Sequence, residues 1–304
     1  MVAEIALTSA PSRGAAKGGL TAAMLQMAWR AVEFRIALFV FAALVLLSLV
    51  GPFVFHVSAT DFNIMQRFLP PMPLGGSSWP HVLGTDQLGR DLFVRSLIGL
   101  RNALFIGITS VVGMFVVGSA IGLTAGYMGR WADLVLMRIT DAQMSIPVVI
   151  LAITILGVSR PTPASIIAVL ILAGWPAYAR VTRSVTLAER QKEYVRAAKI
   201  LGASDLRIVV LHIAPNILPP AAFVAVLDVA RMMIFEAIFG FIGIGIQPPT
   251  PTFGTIIADG TQYLLNAWWI TTAPGLLLAI TLASINIMGG TLERARNKIL
   301  QGIG

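Results

Sequence analysis

Long apolar runs dominate the chain, and the polar residues gather in a few stretches between them. A bilayer-spanning helix needs about 20 mostly apolar residues. Six segments read this way, at about 36–55, 103–126, 139–158, 164–181, 217–246 and 267–288. The fourth is short and broken by Trp175-Pro176, and the fifth carries charges inside it. Helices are expected because lipid offers no partner to unpaired backbone groups. The pattern therefore predicts an all-α, polytopic membrane protein with about six transmembrane helices.

One charged, alanine-rich stretch interrupts the pattern at length: "ERQKEYVRAAKILGASDLRIVVLHIAP", residues 189–215. Read as a helix over 189–202, it places Tyr194, Ala197, Ala198 and Leu201 at i, i+3, i+4 and i+7, on one narrow face. Lys192, Arg196 and Lys199 lie opposite, and Glu193 and Arg196 have the spacing of an ion pair. Gly202 suits a helix stop. Ser204 suits an N-cap for a second short helix over 205–213, with Asp205 in its first turn. Pro215 then ends that helix, and Asn216 can cap the next span. The segment predicts a helix–turn–helix hairpin outside the bilayer. Two readings of it stay open here: an amphipathic helix lying at lipid headgroups, or a docking helix whose small residues let a partner come close.

Composition agrees with the pattern. Hydrophobic residues make up 57% and charged residues 12%, with a mean hydropathy of +0.83. Soluble domains carry about 25% charged residues, so this chain lacks a polar skin. A net charge of +8 on a soluble protein would favour nucleic acid, but here the placement of the charges matters more, and no nucleic-acid partner is expected. The absence of cysteine excludes disulfides and thiolate chemistry. His56, His81 and His212 are far apart, so no metal site is expected.

Lys/Arg placement sets orientation. Arg13, Lys17, Arg30 and Arg35 precede the first span, Arg130 and Arg138 flank the second link, six basic residues between Arg183 and Arg207 fill the fourth, and Arg294, Arg296 and Lys298 follow the last. With six spans these all fall on one side. Both termini and the hairpin are thus expected on the cytoplasmic side. The Ala/Gly/Ser-rich residues 1–30 read as a mobile cytoplasmic tail, residues 31–304 as the transmembrane domain, and 56–100, with "PPMPLGG" at 70–76, as an external loop. Val57-Ser58-Ala59 resembles a cleavage site, but the preceding apolar run is too long and too far from the start for a signal peptide. The first run is read as a retained anchor.

Gly118, Gly122 and Gly126 line one face of the second span, a spacing that admits a close helix neighbour. Asp228, Arg231 and Glu236 sit inside the fifth span, where ionisable residues are functional candidates. Asp228 and Arg231 can pair at i, i+3, and the three together read as a candidate pathway lining or, for the pair, a self-neutralising contact. Arg138 and Asp141 have the same spacing. No G-x-x-x-x-G-K-[ST], G-x-S-x-G or H-E-x-x-H occurs, so no P-loop, hydrolase or zinc-protease chemistry is expected. Asp86 and Asp91 in "GTDQLGRD" read as a cap and a partner for Arg95 rather than as a catalytic pair. No catalytic residue and no cofactor is assigned to the chain.

Aligned on Gly202, the stretch resembles the E-A-A-x-x-x-G motif of ATP-binding-cassette importer permeases. Arg196 stands at the Glu position, followed by Ala197, Ala198 and Gly202, and Pro215 matches the final Pro, with His212 and Ala214 in place of Ile and Leu. "EYVRAAKILGAS" looks like the version found in the dipeptide/oligopeptide/nickel permeases. "HVLGTDQLGRDLFVRSLIGLR", "DLVLMRITDAQMSIPVVILAI" and "FEAIFGFIGIGIQPPTPTFGTII" resemble other segments of the same family, with Phe253 where Trp is usual. The resemblance covers about residues 30–290, while "MGGTLERARNKIL" departs from it.

The resemblance implies a type I importer permease fold in the inner membrane of a bacterium, and a transport subunit rather than an enzyme. It implies a sister permease, two ATPase subunits that bind ATP and Mg²⁺, and an external solute-binding protein. Residues 193–204 would be the coupling helix, with Glu193, Tyr194, Arg196, Ala197, Ala198, Leu201, Gly202, Ser204 and Pro215 as its site residues. The other reading is an ion-coupled secondary transporter using Asp228, Arg231 and Glu236. Such a protein needs no docking hairpin and is expected to show inverted repeats.

Overall fold

The structure, a computed structural model, describes residues 17–55, 59, 61–75, 79, 81–158 and 160–301. Among them are helices and no strand. In chain order they are α1 (Lys17–Arg30), α2 (Val32–Val54), α3 (Leu92–Met128), α4 (Arg130–Met144), α5 (Val148–Leu156), α6 (Pro163–Arg190), α7 (Glu193–Ile200), α8 (Asp205–Arg207), α9 (Ala214–Phe241), α10 (Phe253–Thr261) and α11 (Trp269–Leu300). A π-helical turn, Ile208–Ile213, joins α8 to α9. The residues of the suggested cleavage site at 57 and 58, together with His56 and Gly76, lie outside the described residues.

Four helices, α2, α3, α6 and α11, are each long and apolar enough to cross a bilayer. The expected third span is two helices, α4 and α5, bent by 83°. Pro147 is the cause, since a proline disfavours helical geometry at the residue before it. The 28 residues of α9 extend about 42 Å at 1.5 Å per residue, more than the roughly 30 Å of a bilayer core. The fourth span is not broken at Trp175-Pro176: α6 runs through Pro176 to Arg190. Its start is fixed by Thr162, whose hydroxyl accepts from the Ser165 amide while the Ser165 hydroxyl accepts from the Thr162 amide.

The tail expected over 1–30 is helical from Lys17 onward. Ala, Leu, Met and Gln are strong helix formers, and α1 packs on α11, burying Met24 and Ala28. The loop expected over 56–100 ends at Asp91, because α3 begins at Leu92.

α3 is the axis of the bundle, lying along α6 and also against α9. The glycine stripe makes this possible. A Cβ on Gly118 would stand 2.4 Å from the Trp175 carbonyl oxygen, one on Gly122 2.3 Å from that of Ala179, and one on Gly126 2.7 Å from Thr186 Cβ. Gly122→Val is expected to cost about 1–3 kcal/mol by overpacking, read as a lower unfolding midpoint in detergent. An unchanged midpoint would show that the α3–α6 contact yields freely. A core around Met114, Ile166, Tyr178 and Phe239 fills the space between α3, α5, α6 and α9. A second, around Leu100, Met233 and Phe253, joins α3 to α9, α10 and α11.

At the end where α3 begins, charges are buried in a compact layer. Asp86 is 2% exposed, Arg90 6% and Arg95 3%. The Asp86 carboxylate takes Arg90 Nε at 2.7 Å and Arg95 Nε at 3.4 Å. Asp91, not Asp86, is the helix cap, accepting from the Val94 amide at 2.7 Å. Asp91 also pairs with His81 rather than Arg95, at 2.8 Å. Burial raises the Asp91 carboxyl above its ordinary value, against the opposing pull of the Val94 amide and His81. Asp259 on α10 reaches Arg90 at 3.7 Å, tying a third element into the layer.

Candidate functional site

The hairpin stands at the opposite end, beyond α6. Its first helix is shorter than expected: residues 189 and 190 close α6, and α7 runs only from Glu193 to Ile200. Gly202 ends it at φ +80°, a left-handed conformation that glycine adopts freely. Ser204 caps α8 by accepting from the Arg207 amide at 3.4 Å. Pro215 does not end the second helix. It sits in the first turn of α9, where a missing N–H does least harm, and the chain stays helical through it. Asn216 is not a cap either. Its side chain donates to the His212 carbonyl at 2.8 Å and to the Tyr194 hydroxyl at 2.9 Å.

The predicted face is split. Val195 is buried and Ala198 half-buried, turned toward Ile208, Ile213 and Ile217, with Leu123 and Tyr127 of α3 and Val185 of α6 alongside. Ala197 is exposed, as are Tyr194 at 37% and Leu201 at 86%. The helix presents its apolar seam one residue away from the predicted register because Val195 outbids the smaller alanines for the core. Arg196 and Glu193 are both exposed, and among the described residues they form no ion pair. The outer tip of the hairpin is apolar: Ile200 is 85% exposed, Leu201 86% and Leu206 74%.

Polar contacts brace this hairpin from behind. Glu189 at the end of α6 is buried. Its carboxylate accepts from Lys192 and from the Tyr194 hydroxyl, and Asn216 reaches it at 3.4 Å. Burial and then the bond to Glu189 push the Tyr194 hydroxyl up to about 12, so it remains a donor at neutral pH. Tyr127 donates to Asp205, and Arg190 donates to the Tyr127 carbonyl at 2.8 Å. The ends of α3, α6 and α9 are thus bound to α7 and α8. Sequence reading singled out mostly outward residues and, of the brace around Glu189, named only Tyr194 as a site residue. Glu189 and Asn216 gave a signal only as polar residues at the edges of the charged stretch.

Inside the bundle, Arg231 pairs with Asp228 at 3.0 Å, as the spacing predicts. Asp228 is buried, and its second oxygen has no partner. The Tyr178 hydroxyl stands beside Asp228 without closing a hydrogen bond of ordinary geometry. Glu236 is 1% exposed and one of its oxygens is likewise unpartnered. Arg138 and Asp141 do not pair. Asp141 takes Arg180 at 2.6 Å, and Asp133 takes Arg183, so α4 is clamped to α6 across the bundle. Among the described residues no group of three or more His, Cys, Asp or Glu could hold a metal.

A helical bundle with several helices long and apolar enough to cross a bilayer, tied at their ends to an apolar-tipped hairpin, defines a multi-pass membrane protein. Comparison with known proteins gives the family. Residues 118–298 match the family described as binding-protein-dependent transport system inner membrane component. The chain belongs to that family: it is a membrane permease subunit of an ATP-binding-cassette importer. A putative peptide transport system permease protein of Brucella suis is 37% identical, over 94% of this chain and 93% of that one. The di/tripeptide transport system permease protein DppC of Pseudomonas aeruginosa is 36% identical, over 74% of this chain and 75% of its own. In fold, the chain is similar to the MetNI methionine ABC transporter in an inward-facing conformation, with TM-score 0.50 and 21% identity, over 68% of this chain and 94% of that one. The family is one of transport subunits, not enzymes; ATP hydrolysis falls to a partner ATPase, and a solute-binding protein is a further partner. Ion-coupled transport is not favoured.

Proposed function

We propose that this chain is one of two related permease subunits of an importer for short peptides. Two ATPase subunits, which bind ATP and Mg²⁺, dock on its hairpin face, and an external binding protein delivers the peptide. No cofactor belongs to the chain itself. The Lys/Arg distribution supports an orientation with the hairpin face and both termini in the cytoplasm and the buried charged layer outside. The peptide class is suggested by the names of the relatives.

The observation that carries the coupling role is the apolar tip on a braced base. Ile200, Leu201 and Leu206 project from a charged segment where the bilayer core gives no reason for apolar exposure, so a partner groove is the fitting cover. Ala197 and Gly202 keep the tip narrow. Because α7 is bound to three spans, a push on it becomes a rigid-body movement of their ends, a recognised mode of switching. Pro215 contributes by letting the helix continue into α9. Asp228, Arg231 and Glu236 are our candidates for a pathway lining, on the cost of ionisable groups inside a membrane.

Leu201→Asp tests this. Loss of a buried apolar anchor costs an interface about 2 kcal/mol or more, roughly thirtyfold in affinity. ATP-driven dipeptide uptake by the reconstituted complex should fall accordingly, with the chain still inserted and ATPase recovery on purification reduced. Normal uptake with normal ATPase recovery would sink the coupling assignment. Weakened association with protein-free vesicles, and nothing else, would instead make the tip a lipid contact.

A further inference from the structure

The break in the third span leaves a cavity of about 220 Å³ between the α4–α5 bend, α6 and α9. Gly174 on its wall lies eleven residues beyond Pro163, about 17 Å into α6 at 1.5 Å per residue. That is roughly halfway through a bilayer core of about 30 Å. Non-helical backbone at such depth is tolerated where it lines a cavity, and Ile146 at the bend lines this one. Ile146, Leu170 and Phe235 make its wall apolar, while Gln143 and Arg231 bring polar groups to it.

Both polar groups are donors with capacity to spare. A guanidinium carries five N–H donors, more than the ion pair between Arg231 Nη2 and Asp228 at 3.0 Å can use. The Arg231 side chain is 49% exposed, against 8% for Asp228, so its charge faces the open space. The Gln143 side-chain nitrogen is buried with no partner. An acceptor with two oxygens suits such a pair, and arginine binds carboxylates through two parallel bonds. Every peptide carries one carboxylate at its end whatever its sequence. A fixed cation beside a plain apolar wall recognises that constant group and tolerates varied side chains.

Resting on the peptide-importer reading, we propose that this cavity receives the C-terminal carboxylate of a short peptide in transit, with Arg231 as its ionic partner and Gln143 as a second donor. The full transporter complex is placed in nanodiscs without its binding protein, and binding of labelled dialanine is measured. Arg231→Gln is combined with Asp228→Asn, so that no buried charge is left unpaired. The double variant should bind at least about tenfold more weakly, near 1.4 kcal/mol. Gln143→Leu should weaken binding by a smaller factor, and dialanine amide should bind the unaltered protein at least about tenfold more weakly than dialanine. The last arm needs no variant, so poor folding cannot mask the result. Equal binding of the amide, unchanged binding by the double variant, or no saturable binding at all would overturn the proposal. Full binding of an amidated dipeptide bearing glutamate would assign the carboxylate to a side chain and overturn the terminal reading. ATP-driven dipeptide uptake with the binding protein present is measured alongside. Its absence sinks the peptide-importer reading itself, whereas intact uptake with no carboxylate dependence sinks only this subsite.

Discussion

Asp86→Ala is expected to destabilise the protein by about 3–5 kcal/mol, the cost of breaking a buried ion pair by removing one partner. Asp86 faces two guanidinium groups, Arg90 and Arg95, and all three side chains are at most 7% exposed. Deleting the carboxylate leaves two like charges together with little water to screen them. Its oxygen also accepts from the Leu88 and Arg90 amides, at 2.9 and 3.0 Å, so the turn before α3 loses its internal support. Asp86→Asn keeps an acceptor and removes the charge, and should lie between the two. The check is the unfolding midpoint in detergent for the three proteins. Equal midpoints for Asp86→Ala and the unaltered protein would mean that the arginines find other partners.

Glu189→Ala should reduce ATP-driven uptake more than it reduces the amount of folded protein. The carboxylate gathers Lys192, Tyr194 and Asn216 from two sides of the hairpin. Without it, α7 is held by its short apolar seam and the Asn216–Tyr194 bond, and on the proposed coupling role a push on the tip is absorbed at the hinge rather than passed to the spans. ATP hydrolysis should then continue while uptake falls by at least an order of magnitude, since a positioning error of about 1 Å can cost a hundredfold in a coupled site. Tyr194→Phe removes one of the bonds and should uncouple more mildly. The ratio of peptide imported to ATP hydrolysed decides the matter. A constant ratio with both rates lowered together would make Glu189 a folding residue only.

Much of the fold was legible because lipid imposes a simple length rule. The spans at α2, α3 and α11, the glycine face that α3 turns to α6 and the Asp228–Arg231 pair all follow from local spacing. The misreadings share a cause, which is that tertiary partners decided the outcome. Pro176 looked like a break, yet α6 continues against α3. Pro215 looked like a stop, yet it falls in a first turn. Asp86 and Asp91 exchanged their expected roles because His81 and Arg90, brought in by the loop, were invisible to spacing along one helix. At the hairpin, periodicity found the helix but not its register, since one valine buried against Ile208 and Ile213 rotates the whole face.

The two ends of the molecule should respond differently to ionic strength. Salt screens exposed charge pairs and hardly touches buried ones. Arg90 and Asp86 at the loop end are almost sealed from solvent. At the hairpin end, Arg180–Asp141 and Arg294–Glu33 are more than half exposed on each side. Rising salt should therefore loosen the α4–α6 and α2–α11 clamps while the opposite crust keeps its shape. One end of the bundle therefore holds its shape whatever the medium, while contacts at the other end adjust with ionic strength.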